Sequence, residues 1–515
     1  MKIIAIFLTV CLLFCGCGKT DSGSGEGSSQ APVHYDLSKY QEINMYAIRE
    51  NNLNPLLVSS ESGRLVLSLI FRPLFTVDQK FDCLPCLAEN VTFSNGCKTV
   101  DITLKKDVLW DDGSSFTSSD VDYTVNKIIE YGEESPYFQY FSNVEGYAAN
   151  GTHGYRFNLT SADAGFPALL TFPIVKRNSL GNSIKFIGTG DYTVKEYKEY
   201  SSLLLVSKNL EDKTNICKIK VSLLPDNSSA FSGYKLGQID LFKLSAEDAL
   251  SGSVDEAKSF VSSNTNRYSF LAVNHASSLL SDPALRRIIS QITSAETVTK
   301  DLAPDFAISA DSMVNPAAHF AIKNEASYDD LKIELDSLGY TTDESGTRIK
   351  KTSDGNKKLI FDIIVNGENH SKVIAAQYIA NLLSSYGINT TVRELEYTVY
   401  TDALKSGSFD LALCETAISL NNDYTFLLGS EGSMNFGGYS SKKADSLLTS
   451  IAETPDKSKR TEYLNQLQTL FFKDMPHIPL WFKSSKIVYN NSLIKKPVLG
   501  GISDDFGGIS TWKLK

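Results

Sequence analysis

The chain has 515 residues, of which 42% are hydrophobic and 21% are charged, and its formal net charge is −10 at neutral pH. A chain of this length exceeds one hydrophobic core, so about two to four packing units are expected. The acidic balance argues against nucleic acid as a partner, because phosphates require an excess of cations.

The first 30 residues have the pattern of an exported lipoprotein. Lys2 precedes an apolar run over residues 3–14, which is too short to span a bilayer comfortably. The following residues up to Cys17 resemble a lipobox, in which a small residue precedes the cysteine that is cut and lipidated. We therefore expect a signal peptide over residues 1–16, a lipid on Cys17, and a flexible Gly/Ser-rich tether over residues 17–30. An ordinary secretory signal peptide is the alternative.

The next segment predicts a short strand over residues 43–48 and an apolar helix over residues 65–69. Ser59, Ser60 and Glu61 lie between them, in a stretch that indicates a polar loop.

Cys83, Cys86 and Cys97 lie close together in sequence. A zinc site requires four ligands, and no fourth cysteine or histidine stands nearby, so a metal site is disfavoured. A disulfide among the three cysteines and free buried thiols both remain open at this point.

Residues 99–129 predict a strand, a tight turn and a helix in succession. Apolar and polar residues alternate over 100–104, residues 110–113 end in Asp-Gly, and residues 117–120 offer oxygens that cap a helix N-terminus. Apolar residues at helical spacing follow from Val121 to Ile129.

The second half of the chain reads as alternating strands and helices. A strand over 268–273 ends at Asn274. Ser281-Asp282-Pro283 then offers a cap, an acid in the first turn and a proline, which predict the start of a helix that carries an apolar stripe. The strand 359–365, helix 371–386 and strand 391–395 form a βαβ unit, which predicts parallel pairing.

Three further elements complete this half. They are a strand over 409–413, an amphipathic helix over 460–473 and a strand over 475–482. The loop that starts at Glu415 follows the first of these strands. It is a candidate binding site, since ligands of open α/β sheets bind beyond the carboxyl ends of strands.

Taken in order, these segments resemble the family 5 extracellular solute-binding proteins, the peptide- and nickel-type receptors of ABC importers. In the stretch from residue 99, the matching positions are Leu104, Lys105, Lys106, Trp110, Asp112, Gly113, Phe116, Thr117, Asp120 and Val121. Weaker matches follow at residues 187–192, 237–240, 283–287, 437–448 and 475–482.

The resemblance implies an α/β, two-lobe periplasmic-binding-protein-like fold of the class II type. The first lobe would hold residues 31–267, with an extra subdomain over about 65–180. The second lobe would hold residues 268–482, and residues 483–515 would return to the first lobe.

The resemblance also implies a function. The chain would be the substrate-binding lipoprotein of an ABC importer, a monomer without a cofactor or bound metal. It would capture a peptide-like solute between its lobes, deliver it to membrane permease subunits, and be held by its lipid on the outer face of the membrane, at a Gram-positive cell surface. The candidate ligand-binding residues are Ser59, Ser60, Glu61, Tyr137, Asn274, Glu415, Thr416, Asn422, Asp423 and Trp481. A peptide-sensing receptor and a binder of a non-peptide solute such as a metal chelate are the alternatives.

One family feature is displaced. Peptide-type members carry an aspartate that pairs with the α-amino group of the ligand, and its expected place is near Ser419 or Leu420. Either Asp423 or Glu415 takes the amine, or the ligand is not a free-amino peptide.

An enzyme is disfavoured, because the sequence has no HExxH, no GxSxG and no complete phosphate-binding loop. The six histidines are scattered, and only His275 lies near the expected cleft, where contact with a ligand or a bound metal complex is an alternative.

Overall fold

The structure is a computed structural model that describes residues 35–181, 184–245, 259–302, 307–325, 330–353 and 355–515. The expected signal peptide, Cys17 and the tether lie outside these residues. In the part of the chain that is described, no helix has the length and apolar character that a membrane span requires.

Helices and strands alternate along most of the described chain. The α-helices there are α1 (Glu61–Ser68), α2 (Ser118–Tyr131), α3 (Asn227–Lys235), α4 (Pro283–Ile292), α5 (Ala295–Leu302), α6 (Leu331–Ser337), α7 (His370–Ser385), α8 (Tyr397–Ser406), α9 (Thr425–Leu428), α10 (Lys442–Glu453) and α11 (Lys457–Asp474). The strands of the first half are β1 (Glu42–Ile48), β2 (Phe75–Val77), β3 (Cys83–Pro85), β4 (Ala88–Ser94), β5 (Thr99–Leu104), β6 (Val144–Ala149), β7 (Gly154–Leu159), β8 (Tyr192–Lys198), β9 (Ser202–Ser207), β10 (Lys218–Leu224) and β11 (Leu241–Leu244). Those of the second half are β12 (Phe260–Val273), β13 (Ala307–Ser309), β14 (Thr341–Thr342), β15 (Arg348–Thr352), β16 (Gly355–Lys358), β17 (Ile360–Asn366), β18 (Asn389–Leu395), β19 (Leu411–Ala417) and β20 (His477–Tyr489).

Two large hydrophobic cores divide the chain into the two lobes of an α/β fold. The first core draws on residues 43–223, on Leu241 and on residues 487–514. The second core draws on residues 268–482 and on Phe81, which reaches it from the turn between β2 and β3. The polypeptide therefore leaves the first lobe and returns to it near its C-terminus.

The strands β12 and β20 join the two lobes. They are antiparallel neighbours, and among the described residues they form the middle of a mixed sheet in the order β11-β20-β12-β19-β17-β18. Their first segment pairs Ser263 with Ser485 beside the first core. The register then shifts between Asn264 and Tyr268, and the later segment pairs within the second lobe. This irregular segment is where the strands pass from one lobe to the other.

In the described part of the chain, the first lobe contains two four-stranded sheets, in the orders β1-β10-β9-β8 and β4-β5-β7-β6, and the two-stranded β2-β3 sheet. The helix α2 packs beside the second of these and buries Val121, Val125 and Ile128. Its start is fixed by Asp120, whose carboxylate accepts hydrogen bonds from the backbone of Thr117 at 2.9 Å and of Arg177 at 2.9 Å. The strand, turn and helix predicted over residues 99–129 are confirmed.

The second lobe confirms the predicted βαβ unit. Strands β17 and β18 pair in parallel, with Ile363 opposite Val392, and α7 connects them. Helix α4 begins after Asp282, whose side chain accepts a hydrogen bond from the backbone of Ala284 at 2.9 Å. Its predicted apolar stripe is buried.

Several elements differ from the sequence prediction in extent. Strand β12 begins eight residues before the predicted start at residue 268, and β20 continues seven residues past the predicted end at residue 482. Strand β19 extends to Ala417, because its last residues pair with β12. Glu415 and Thr416 therefore lie within a strand and not in the loop that was predicted after it.

Candidate functional site

A cavity of about 530 Å³ lies beside the segment where β12 and β20 pass between the lobes. The first lobe contributes most of its lining, the two strands contribute residues 264–267 and 483–485, and Leu420 comes from the second lobe. A volume of this size falls in the range of small-molecule and peptide-fragment sites. We refer to this space as the central cavity.

One wall of the central cavity is a face of α1. Glu61, Arg64, Leu65 and Ser68 all line it, and their spacing places them on one side of a helix. The helix starts at this position because Ser60 caps it, accepting a hydrogen bond from the backbone of Gly63 at 3.2 Å.

A second wall is aromatic. Tyr137 and Tyr140 both line the central cavity, and their ring centroids are 6.2 Å apart. Burial raises the pKa of both phenols, so both remain neutral at physiological pH. Neutral phenols combine an apolar face with a hydrogen-bonding tip, which suits a solute of mixed polarity.

The first-lobe end of the cavity contains a buried ion cluster. The ammonium group of Lys243 lies 2.6 Å from the carboxylate of Asp505 and 2.7 Å from that of Glu61. Burial acts to lower the pKa of Lys243, but the two carboxylates together outweigh it and the pKa is raised. Lys243 is therefore charged, and its cluster carries one more negative than positive charge.

Asp504 adds another carboxylate at this end. It lines the central cavity, and its Oδ1 accepts a hydrogen bond from Ser68 Oγ at 2.8 Å. Among the described residues no cation forms a salt bridge with it. Burial, together with the neighbouring charge of Asp505, raises its pKa to about 6. We refer to Glu61, Asp504, Asp505 and Lys243 as the acidic end.

The opposite end of the cavity is basic. Arg267 and Lys483 line it. The carboxylate of Glu415 lies 3.8 Å from the guanidinium of Arg267 and 2.9 Å from the ammonium group of Lys483. Lys372 approaches the same carboxylate at 3.7 Å. Three cations therefore lie within 4 Å of one carboxylate. We refer to Arg267, Lys483, Lys372 and Glu415 as the basic end.

Three of the ten candidate residues line the central cavity: Ser59, Glu61 and Tyr137. Ser60 and Glu415 do not line the cavity and lie directly behind residues that do. Ser60 Oγ donates a hydrogen bond to Glu50 at 2.5 Å, and Glu415 holds the cations of the basic end. Glu415 is therefore already neutralised by protein groups.

The structure does not bring the other five candidates into the lining. The amide of Asn274 donates hydrogen bonds to the carbonyls of Gly407 and Phe409, at 3.1 and 2.9 Å, inside the second lobe. Asp423 is exposed, and its carboxylate accepts a hydrogen bond from the backbone of Thr425 at 2.8 Å.

The positions of the remaining three candidates, Thr416, Trp481 and Asn422, follow from their backbone pairing or backbone angles. Thr416 pairs with Tyr268, and Trp481 pairs with Ser269 within the sheet. Asn422 has a φ of 59°, in the tight turn before α9.

Sequence reasoning missed most of the charged lining: Arg64, Lys243, Arg267, Lys483, Asp504 and Asp505. Little in the sequence indicated that these charged residues line a cavity. Lys243, Arg267 and Lys483 are charged residues within or beside apolar strands, where a charge requires a partner or a cavity. The Asp504-Asp505 pair stands in a Gly-rich segment near the C-terminus.

The disulfide alternative is not realised, because the five cysteines of the described residues are free. Cys83 and Cys86 are half-buried, Cys97 is buried, and burial raises the pKa of each thiol. In the same part of the chain, no three His, Cys, Asp or Glu residues come together in a way that would hold a metal ion. His275 lies inside the second lobe, with its Nε2 2.8 Å from the carbonyl of Pro476.

Comparison with known proteins places this fold. The model of the bacterial extracellular solute-binding proteins, family 5 middle, matches residues 83–438. The oligopeptide-binding protein AppA of Bacillus subtilis is 21% identical over 527 residues, which cover 96% of this chain and 94% of AppA.

Two solved structures share the architecture across almost the whole chain. The nickel ABC transporter protein of Bacillus halodurans is 18% identical, with a TM-score of 0.78 and coverage of 92% of this chain and 99% of that one. The B. subtilis AppA structure in complex with a nonapeptide is 19% identical, with a TM-score of 0.57 and the same coverages.

Proposed function

The chain belongs to family 5 of the bacterial extracellular solute-binding proteins, and from this premise we propose that it captures a peptide-like solute in the central cavity and delivers it to an ABC permease. Members of this family are binding proteins of transport systems and not enzymes. The peptide specificity is carried over from the relatives, whose names describe oligopeptide and dipeptide binding.

The location of the central cavity is the observation that supports this proposal most. It lies against the two strands that join the lobes, and the first lobe supplies most of its lining. A rotation of the second lobe about these strands would cover the cavity, which is a hinge closure. Closure would remove water from the ligand and strengthen the polar contacts around it.

The proposal includes the location of the protein. A lipid on Cys17 would hold the folded lobes on the outer face of the cell membrane, as the lipobox-like pattern predicts. One monomer would serve one permease.

Native mass spectrometry of the purified chain, before and after unfolding and refolding, tests the binding function. We expect a ladder of peptide masses that is lost on refolding and restored when a peptide mixture is added. Absence of any bound mass, with no rise of melting temperature in peptide mixtures or in metal chelates, would overturn the proposal. A single metal-chelate mass would replace the peptide by that solute.

Delivery is tested separately from binding. Uptake of a labelled peptide is compared between cells with and without this chain. We expect uptake to be lost without it and restored by the wild-type gene. Unchanged uptake combined with retained peptide binding would favour the sensing receptor instead.

A further inference from the structure

We propose that a contact between residues 163–165 of the first lobe and residues 418–421 of the second lobe stays made while the lobes rotate, and that it holds Leu420 in the wall of the central cavity. Asn421 is the positioning residue, and Leu420 meets a solute before closure begins. This inference rests on the proposed binding function and adds a fixed point of closure to the two connecting strands.

Hydrogen bonds join the lobes at this contact. The backbone N–H of Ala164 donates to the carbonyl of Ala452 at 2.8 Å, and the buried side-chain amide of Asn421 donates to Asp163 at 2.7 Å. The guanidinium of Arg460 donates to the carbonyl of Asn421. We refer to these five residues as the interlobe contact. A buried amide requires a partner, so Asn421 depends on the first lobe for its own hydrogen bonding.

The first lobe also completes the end of α10. The last carbonyls of an α-helix have no partner within the helix. In α10, the carbonyl of Ala452 accepts the N–H of Ala164, and the carbonyl of Glu453 accepts the thiol of Cys97, whose sulfur is 3.3 Å away. Separation of the lobes at this place would take these partners from both carbonyls, which is unfavourable. The interlobe contact therefore resists opening.

The packing of the two backbones supports the same conclusion. A Cβ at Gly165 would overlap the carbonyl oxygen of Asn421 and the guanidinium of Arg460. The absence of a side chain is what allows a backbone to approach its neighbour this closely. The interlobe contact is thus a fitted surface and not a loose encounter between two loops.

The interlobe contact lies close to the strands that connect the lobes. The N–H of Ile418 donates to the carbonyl of Asn266 at 2.8 Å, and the side chain of Asn266 donates to the carbonyl of Ile418 at 2.8 Å. Asn266 belongs to the irregular segment of β12 that passes between the lobes. Asn421 follows Ile418 by three residues, so it lies within about 11 Å of this segment. A rotation displaces points near its axis least, so this contact can persist while the distant rims of the lobes approach.

Leu420 lies between these two attachments. Ile418 is bonded to the connecting strand and Asn421 to the first lobe, so the intervening residues are held at both ends. Leu420 is half-buried and supplies the contribution of the second lobe to the lining of the central cavity. It therefore keeps its place in the wall at any angle between the lobes, and it offers an apolar surface to the first part of the solute that enters.

Hydrogen–deuterium exchange resolved to single amides tests the fixed point. The full chain in mild detergent, freed of bound solute by unfolding and refolding, is measured with and without a pool of random tripeptides. We expect the N–H of Ala164 to be protected about a hundredfold or more without tripeptides, and to change by less than about threefold when they are added. The N–H of Leu159, which bonds to Lys98 within the first lobe, is the internal reference. Exchange of Ala164 at an unprotected rate until tripeptides are added would overturn the proposal, because the contact would then form only on closure.

Two variants test the role of Leu420 and its dependence on Asn421. Leu420→Ala is expected to weaken binding of the tripeptide pool about tenfold, because it removes an apolar contact from the cavity wall. Leu236→Ala, at a position that is 73% exposed, is its control and should bind like the wild type. Asn421→Ala is expected to weaken binding and to speed exchange at Ala164, whereas Asn356→Ala, at an exposed position on β16, should change neither.

The double variant of Leu420→Ala with Asn421→Ala separates positioning from general destabilisation. If Asn421 acts through Leu420, the double variant should bind about as weakly as Leu420→Ala alone, whereas independent effects would multiply. Multiplied effects, or wild-type binding by Leu420→Ala, would overturn the positioning role while peptide binding stands. Failure of the wild type to bind tripeptides would count against the proposed function, and the protection of Ala164 in the solute-free chain would still decide whether the contact is a fixed point.

Discussion

The backbone N–H of Ala164 donates a hydrogen bond to the carbonyl of Ala452, 2.8 Å away, and thereby joins the two lobes at a point separate from β12 and β20. Asn421 donates a side-chain hydrogen bond to Asp163 at 2.7 Å, and Arg460 donates one to the carbonyl of Asn421. These five residues form the interlobe contact. Position 165, beside this contact, requires a glycine, because a Cβ there would lie 2.1 Å from the carbonyl oxygen of Asn421.

The interlobe contact is predicted to be sensitive to pH through Asp163. Burial raises the pKa of this carboxyl from 3.8 to about 6, despite the hydrogen bond from Asn421. The folded chain therefore binds the proton more readily than the unfolded chain, and the stability contributed by this group falls as pH rises from about 4 to about 6.

Chemical denaturation of the wild type and of Asp163→Asn between pH 4 and 7 measures this effect. We expect the free energy of unfolding of the wild type, relative to the variant, to fall by about 1 kcal/mol over this range after allowance for solvent screening. Asp402→Asn, at an exposed position in α8, is the control. A difference that stays constant with pH would show that Asp163 titrates normally.

Phe81 is predicted to couple the lobes by packing. It is 8% exposed and belongs to the second core, although its neighbours in sequence form the β2–β3 hairpin of the first lobe. Phe81→Ala is expected to reduce the free energy of unfolding by about 3 kcal/mol, because it removes a buried ring and leaves a cavity. Leu84→Ala on β3 is the control, since Leu84 is 43% exposed. Equal small losses in both variants would contradict a packing role for Phe81.

Glu415 is predicted to act in stability and not as the partner of a ligand amine. Its side chain is 9% exposed and faces three cations. Glu415→Gln leaves these cations close together without their carboxylate, so we expect a loss of about 2–4 kcal/mol in urea denaturation. Binding of C-amidated peptides that keep a free amine should remain within about twofold of the wild type. A large, selective loss of amine recognition would instead return Glu415 to the role that the sequence suggested.

His477 is predicted to limit stability in acid. It is buried at the start of β20, its Nε2 lies 3.1 Å from the hydroxyl of Tyr268, and Phe270 and Phe471 flank its ring. Burial lowers its pKa from 6.5 to about 3. Since the unfolded chain takes up the proton first, stability is lost as pH falls below about 6.5, by up to about 1.4 kcal/mol per pH unit.

Thermal or urea unfolding of His477→Gln between pH 7 and 4 checks this expectation. The variant should lose less stability than the wild type over that range, although it begins less stable. His370→Gln, at an exposed position, should follow the wild-type curve. Parallel curves for His477→Gln and the wild type would mean that His477 is protonated in both states.

Local patterns predicted local structure well. The buried stripe of α4, the turn and helix after Trp110, and the parallel pairing of β17 with β18 all follow from periodicity and capping within short segments. The true lengths of β12, β19 and β20 did not follow, because they depend on pairing between segments about 140–230 residues apart. The β-propensity of a segment does not indicate which distant strand it will pair with.

The lining of the central cavity was also only partly predictable from local sequence. Tyr137 and Glu61 were anticipated by resemblance, but Lys243 and Asp505 are 262 residues apart and meet only through the fold. Asp504 was equally hidden, because nothing in its local sequence distinguishes a cavity wall from a surface turn.

The return of the chain to the first lobe dictates an order of folding. The second lobe is one continuous insertion between β12 and β20, so all of its strands and helices are available before the C-terminus emerges. The first core, in contrast, includes Ile487, Ile494, Phe506 and Trp512 from the last 29 residues. A chain that is synthesised from its N-terminus therefore holds the first core incomplete until these last residues are available. Truncation after β19 would remove β20 and with it the completion of both cores.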